Sequence, residues 1–368
     1  MKFTISILLE TLNEQDLQLL KLQTEYHKVC NQIVLTVIEN RCWNRVALHH
    51  LVYNKVRKTS PLGSQMVCNA IFSVCKAYKA KGIRKDKTVP VIQFRKYRSV
   101  HFDHRTYSIK GNILSLYTLQ GRIRIPMRKG SFQEKYFSQG TPKEAELINR
   151  KGKWYFNLVL ELPDPHRSEK TKMIGVDIGE NVLAVTSMGN LYGGGKVRHE
   201  RIQYFAKRRR LQSNGTQSSK QLLKKISGKE ERRMKHINHE VSKRVIQEAI
   251  KEEAGIIVLE DLTHIRARIK AGKKMRSRLH RWGFRQLQAF IHYKAESQGL
   301  QVMYVNPAYS SQECSQCGCL GVRQGHHFKC LCGHQQHSDL NASRNLCRFA
   351  QSLGRAMCAV NRTQVAAL

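Results

Sequence analysis

The sequence predicts an α/β domain interrupted near its end by a small metal-bound ribbon, and before it a β-barrel domain that carries a helical insertion. Three observations lead there. Two apolar runs, Met173–Gly179 and Gly255–Leu262, each carry a carboxylate where a strand would end. Five cysteines, Cys314, Cys317, Cys319, Cys330 and Cys332, crowd into one short window. Between Val89 and Leu162 the chain breaks into short β-rich pieces separated by Gly, Asn and Lys turns.

The opening residues 1–10 alternate like a strand and lack the small-residue cleavage site of a signal peptide, so they are assigned to the β-domain. Its other pieces are Val91–Phe94, Ile113–Tyr117, Arg122–Ile125 and Trp154–Leu160. Helices lie between. Thr11 and Glu14 have capping-box spacing, and Leu19, Leu22, Tyr26, Val29, Cys30 and Ile33 follow at helical intervals. A second helix is expected from about Gly63 to Tyr78, with Met66, Ala70, Ile71 and Val74 on one face; the basic run Lys79–Lys87 then marks a boundary. Pro163–Lys170 reads as a linker, and a new domain starts at Met173. A chain of 368 residues has room for two or three cores. The expected division is 1–10 with 88–165 for the barrel, 11–87 for the helical insertion, 171–308 with 337–368 for the α/β domain, and 309–336 for the ribbon.

Charge supplies the first functional clue. Lys and Arg number 64 against 27 Asp and Glu, a net +37, which calls for a polyanionic partner. Nucleic acid fits, because a basic surface gains affinity by releasing counterions from phosphates. Anionic lipid does not, since no basic amphipathic helix stands out and no apolar run is long enough to span a membrane. A polar, basic stretch from Lys196 to Lys235 includes Lys207–Arg210 and Arg232–Lys235, with a Ser/Gly/Gln-rich break near Ser213–Ser219. It reads either as solvated helix faces or as a surface for phosphates, which fix position and not sequence.

The carboxylates come next. In Met173-Ile-Gly-Val-Asp177-Ile-Gly179, followed by the apolar Val182–Ser187, an acid sits in a buried strand with a hairpin partner, and burying it is costly unless something pairs with it. Glu260 closes the run Ile256–Leu259 in the same way. A third acid, Asp339, opens a segment in which Leu340, Leu346, Phe349 and Leu353 recur at helical spacing. Taken alone, Asp177 is equally a turn residue and Asp339 a helix cap. Asp261 is the alternative to Glu260, but strand alternation sends neighbours to opposite faces; Glu180 is expected in a turn. Two strand-borne acids and one helix-borne acid, in this order, suit an RNase H-like nuclease core whose carboxylates hold two Mg2+ ions for phosphodiester hydrolysis.

Cysteine clustering in a chain of this kind indicates metal and not a disulfide framework. Cys314-x-x-Cys317-Gly and Cys330-x-Cys332-Gly read as two knuckles of one structural Zn2+ site. The one-residue gap in the second pair leaves Cys319, His326, His327 and His334 as possible substitutes. A redox C-x-x-C motif would not need the second pair. Cys30, Cys42, Cys68, Cys75, Cys347 and Cys358 are expected to be small buried residues.

Gly-Val-Asp177-Ile-Gly, Ile-Val-Leu-Glu260-Asp-Leu, Tyr309-Ser-Ser-Gln-Glu-Cys-Ser-Gln-Cys-Gly and Asp339-Leu-Asn-Ala together resemble the RuvC and zinc-ribbon signatures of TnpB proteins, also called OrfB transposases. The resemblance continues through Phe284–Phe290, Tyr293–Gly299 and Val305–Ala308, and upstream through Gly121–Pro126 and Gly152–Phe156. It implies a prokaryotic, cytoplasmic RNA-guided DNA endonuclease related to type V CRISPR effectors. The barrel and its inserted helices would hold guide RNA and read a short motif beside double-stranded target DNA, while guide pairing reads the sequence. The Cys330-Leu-Cys332 gap departs from the commoner spacing and leaves the zinc ligand set open. The alternatives are a miniature type V CRISPR effector, a non-cleaving guide-directed repressor, for which the loss of an acid would be expected, and a strand-joining transposase.

Overall fold

The computed structural model describes residues 1–83, 88–95, 98–179, 181–263 and 283–365, the last stretch as backbone only from 354. Part of the basic boundary run, Glu180 and the Cys358 side chain lie outside the described residues. The chain forms two compact units, 1–164 and 165–368.

The first unit opens with β1 (Lys2–Leu9) and continues through the helices α1 (Asn13–Asn40), α2 (Arg45–Thr59) and α3 (Ser64–Ala80). The strands β2 (Val100–Phe102), β3 (Tyr107–Lys110), β4 (Ile113–Thr118) and β5 (Gly121–Arg128) follow, then α4 (Ser131–Gln139), β6 (Thr141–Arg150) and β7 (Lys153–Glu161). The strands make one antiparallel sheet in the order β2-β6-β7-β1-β5-β4-β3, with the opening strand in its middle. Alternation in β7 buries Trp154, Phe156, Leu158 and Leu160 on one side. The sheet curls until it nearly closes. Its two end strands are joined by the turn Asp103–Thr106, and Phe102 and Tyr107 both set their rings against Phe156, with centroids 6.2 and 5.3 Å away. The buried faces of α1 and α3, including Leu19, Leu22, Tyr26, Met66, Ile71 and Val74, belong to the same apolar core as the sheet.

Three local expectations are corrected. The side chain that returns to the α1 cap is Gln15, not Glu14, and it accepts from Leu12 N at 3.0 Å, so the cap sits one residue later than Thr11 and Glu14 suggest and is one-sided, because the Leu12 side chain has no acceptor. Val91–Phe94 is not a strand: Phe94 N and O bond to the Asn31 side chain at 2.8 and 3.0 Å, which meets the hydrogen-bonding need a sheet neighbour would otherwise meet. Of the scattered cysteines, Cys30 and Cys75 are buried, whereas Cys42, Cys68 and Cys347 keep part of their surface.

The second unit contains β8 (Met173–Asp177), β9 (Ala184–Thr186) and β10 (Leu191–Tyr192), then α5 (Gly195–Asn214), α6 (Gln217–Ile226) and α7 (Lys229–Lys251). It continues with β11 (Ile256–Glu260), α8 (Phe284–Glu296) and β12 (Gln301–Val305). The short strands β13 (Val322–Gln324), β14 (His327–Lys329) and β15 (Gln335–His337) lead into α9 (Ser338–Val365). The main sheet has the order β10-β9-β8-β11-β12: the last three run parallel, and β9 and β10 fold back antiparallel. Parallel strands buried on both faces read as continuous apolar runs, which is the texture of Ile256–Leu259. Ile257 and Leu259 face a core shared with Val245, Ile291 and Ala295 of α7 and α8, and Val258 faces Leu346 and Ala350 of α9. In α5 only Leu211 is buried, so the Lys207–Arg210 cations stand on its open surface. Among the described residues no helix is long and apolar enough to cross a membrane.

Gly175 sets the distance between α9 and the sheet. A β-carbon there would lie 2.0 Å from the Ser343 carbonyl oxygen, so the helix backbone rests directly on β8. Gly175→Ala is expected to lower unfolding free energy by about 1–3 kcal/mol in a denaturant titration, the usual cost of overpacking. Gly195→Ala, where a β-carbon meets nothing within 4 Å, should stay within about 0.5 kcal/mol of the parent.

Candidate metal centre and cysteine ribbon

The parallel register pairs Val176 with Leu259, so the next residue on each strand, Asp177 and Glu260, is an acid at the same edge of the sheet. Their side chains share a hydrogen bond. Glu260 is 9% exposed; its Oε1 accepts from Ser310 Oγ at 3.3 Å, and its carbonyl oxygen accepts from Gln288 Nε2 at 2.7 Å. Asp339 enters from the first turn of α9, also largely buried, with Oδ1 accepting from Arg323 Nη2 at 3.1 Å and from Ser338 Oγ at 3.3 Å. Asp261 goes elsewhere. Its Oδ1 accepts from Thr263 N at 2.9 Å, and it lines a separate cleft of about 600 Å³ with Arg285, His292 and Tyr304.

Electrostatics tie the three acids into one group. Asp177 is held well above the ordinary carboxylate range, first by desolvation and then by the charges of Glu260 and Asp339, with Arg323 pulling the other way. Glu260 is pushed up too, mainly by desolvation, although the hydrogen bonds from Ser310 and Asp177 oppose this. The protein alone therefore does not let all three ionise. A hard divalent cation removes that penalty, and an all-oxygen donor set is the kind magnesium takes.

The Ser310 and Arg323 contacts both come from the ribbon, and buried polar residues of α9 fasten the ribbon to the helix. Asn345 Nδ2 donates to the carbonyl oxygens of Ser310 and Glu313 at 2.8 and 2.7 Å, and Asn341 Nδ2 donates to the same Glu313 oxygen at 2.6 Å. Asn341 Oδ1 accepts from Ser315 N at 2.9 Å, and the Arg348 guanidinium pairs with the Glu313 carboxylate. Sequence reasoning missed all of these. Ser310 and Asn341 did leave a signal, since both lie within the motifs Tyr309-Ser-Ser-Gln-Glu and Asp339-Leu-Asn-Ala; Arg323 and Asn345 left none.

The structure brings Cys314, Cys317, Cys330 and Cys332 together, with all four sulfurs within 4.8 Å of one another. Cys314 Sγ lies 3.7 Å from Cys332 Sγ and Cys317 Sγ 3.5 Å from Cys330 Sγ. Four thiolates at about 2.3 Å around a tetrahedral ion sit roughly 3.8 Å apart, so the spacing suits zinc. The short second knuckle closes through Cys330 N to His334 O at 2.9 Å, with Gly333 at φ 86° allowing the tight return and Leu331 fully exposed at its tip. Cys319 lies outside the sulfur group; its carbonyl oxygen accepts from Cys314 N at 2.8 Å. His334 Nε2 is 3.4 Å from Ser315 Oγ, and His326 sits with His337 and Asp339 instead.

Beside β8, the buried Glu248 of α7 anchors the returning hairpin. Its carboxylate accepts from Thr186 Oγ1 at 2.8 Å, Asn190 Nδ2 at 2.7 Å and Tyr192 OH at 2.8 Å. Glu248→Ala would leave three donors in or near the core without an acceptor. A loss on the order of 3 kcal/mol is expected by chemical denaturation, larger than for Glu248→Gln.

Residues 157–266 match a family profile described as a probable transposase, OrfB of IS605, and residues 284–346 match one described as the Cas12f1-like TNB domain. A TnpB-like protein of Methanocaldococcus jannaschii is 39% identical over 180 residues, covering 47% of this chain and 63% of that protein. The CRISPR-associated endodeoxyribonuclease Cas12f1 of Sulfoacidibacillus thermotolerans is 32% identical over 219 residues, covering 54% of this chain and 50% of that one. These alignments thus span less than two thirds of either relative. A Cas12f1 chain solved with sgRNA and target DNA superposes at a TM-score of 0.63 and 16% identity, over 91% of this chain and 83% of that one, so the two share a fold. The class the fold defines is that of proteins with a Cas12f1-like fold. Within it, the chain is similar in sequence to the OrfB profile over residues 157–266 and to a TnpB-like relative over about half of its length.

Proposed function

We propose that this protein is a transposon-associated, RNA-guided DNA endonuclease that hydrolyses phosphodiester bonds at an RNase H-like (RuvC) centre formed by Asp177, Glu260 and Asp339. The observation that carries this is the meeting of three acids, from two adjacent parallel strand ends and one helix start, in a setting that penalises their joint ionisation. The sheet supports it: three parallel strands extended by an antiparallel hairpin give the order expected of that core. The bulk charge of +37 supplies the attraction for nucleic acid. The Cas12f1 relatives are named as DNA endonucleases, and the solved relative is bound to guide RNA and target DNA.

Two Mg2+ ions, when bound, would activate water and stabilise the leaving oxygen. The chain's own residues prepare that site. Asp177, Glu260 and Asp339 would hold the ions. Ser310 fixes the Glu260 carboxylate by donating to Oε1, and Gln288 pins the same residue's backbone. Arg323 holds Asp339 through Oδ1 and brings positive charge to the mouth of the group. Cys314, Cys317, Cys330 and Cys332 would bind one structural Zn2+, ordering a segment too small to fold on a core of its own. Residues 1–10 with 88–165, and the helices inserted at 11–87, would form the guide-holding and motif-reading part, 171–308 with 337–368 the nuclease domain, and 309–336 the ribbon.

Asp177→Ala should reduce Mg2+-dependent cleavage of a guide-matched DNA by about three orders of magnitude or more, the equivalent of roughly 4 kcal/mol of lost transition-state stabilisation. Guide RNA and DNA binding should be retained in gel-shift assays. Undiminished cutting by this variant would overturn the assignment, and failure of a discrete RNA to co-purify with the parent would overturn guidance. Metal analysis should find one zinc per chain, lost in Cys314→Ser and Cys330→Ser together with protection of residues 309–337 from limited proteolysis.

A further inference from the structure

We infer that His326, His337 and Asp339 form a separate site for a first-row transition cation, and that a cation bound there competes with the nuclease centre for Asp339. The competition rests on the function proposed above; the binding does not.

The ribbon strands bring the three residues together. His327 pairs with His337 across β14 and β15, and Ser338 N donates to His326 O at 2.8 Å, so the residue before β14 is locked beside the start of α9. The two imidazoles lie nearly parallel, 5.3 Å between centroids and 19° between planes. One donor atom from each ring and one Asp339 oxygen fall within 4.8 Å of one another. Asp339 divides its oxygens between two neighbours: Oδ1 takes the Arg323 guanidinium, while Oδ2 faces His337 Nδ1 at 4.0 Å. His337 Nδ1 accepts from Asp339 N at 3.3 Å. This bond is long, and its donor is a first-turn helix N–H that water satisfies equally well, so little opposes its replacement. His326 is exposed and gives a cation a way in.

Donor chemistry sets the selectivity. Two imidazoles and one carboxylate, with open positions left over, favour Zn2+, Co2+ or Ni2+ and discriminate against Mg2+. The cysteine group is a distinct set of four sulfurs with no residue in common. The Arg323 guanidinium beside the same carboxylate weakens any cation bound here, so this site should fill after the cysteine site. Asp339 cannot serve both groups with equal freedom. A cation on the histidines would engage Asp339 Oδ2 and leave that carboxylate less free for a cation shared with Asp177 and Glu260.

The full chain with its ribbon zinc in place is titrated with Co2+, following visible absorption and the paramagnetically shifted histidine ring protons. A Co2+ signal with histidine shifts is expected in the parent and in Asp177→Asn, and should weaken roughly tenfold or more in His326→Gln and in His337→Gln. Unchanged zinc content in these variants shows that the ribbon has folded. Absence of histidine shifts in the parent, unchanged binding in both histidine variants, or loss of the signal in Asp177→Asn would each overturn the site. In parallel, Ni2+ should inhibit Mg2+-supported cleavage by the parent and do so at roughly tenfold higher concentration in the histidine variants. Equal inhibition of all three would overturn the competition. If the parent cuts no DNA with any metal, the proposed function fails, and the Co2+ titration still decides the site.

Discussion

Three carboxylates held close together in a desolvated pocket repel one another, and the second unit is built to keep them there. Left to solvent they would separate. Asp177 and Glu260 cannot, because each ends a parallel strand whose neighbours are buried on both faces, and the register between β8 and β11 is fixed by four paired residues before either acid is reached. Desolvation and repulsion are thus both held against the sheet's hydrophobic burial, and the raised affinity of Asp177 and Glu260 for protons reflects desolvation first and the neighbouring charges second.

Asp339 joins from a different direction, and its place depends on how closely α9 approaches the sheet. Direct contact between the Ser343 carbonyl and the α-carbon side of Gly175 leaves no room for a side chain on that strand. The helix then carries its polar residues to the ribbon, where Asn341 and Asn345 grip the Glu313 carbonyl oxygen from one turn apart. Buried amides of this kind fix position well because a slip would leave donors unpaired. Through this joint the ribbon delivers Ser310 to Glu260 and Arg323 to Asp339. A cysteine-rich segment that looks peripheral in the sequence is mechanically part of the acid cluster.

Much of this was legible beforehand. Acids at the ends of apolar runs give their location away because burial makes them conspicuous, and paired cysteines with glycine beside them declare a knuckle. Strand β1 announced itself by alternation, β4, β5 and β7 by β-rich composition between turn residues, and α3 by its apolar face. What stayed hidden depended on long-range partners. Helix α2 buries only Leu48, Val52 and Val56, too narrow a stripe to register, and Asn44 at its cap, accepting from Val46 N at 2.9 Å, resembles any loop asparagine. Val91–Phe94 has strand composition but meets its backbone needs through one side chain of α1. Ser310 and Arg323 matter only because of what the ribbon's fold places opposite them.

The sign of the charge at the centre is opposite to that of the chain around it, and the contrast bears on how a phosphodiester would approach. With 64 Lys and Arg against 27 Asp and Glu, the protein as a whole would attract a polyanion such as nucleic acid, yet a phosphate nearing the acid cluster would meet carboxylate charge of its own sign. Field attraction that acts over a Debye length brings the strand to the surface but cannot overcome repulsion at contact distance, where 332/(εr) grows steeply. Arg323, one guanidinium already committed to Asp339, offsets only part of it. Under the function proposed above, the remaining deficit of positive charge lies where the nucleic-acid backbone would be bound, and cations between carboxylate and phosphate would supply it.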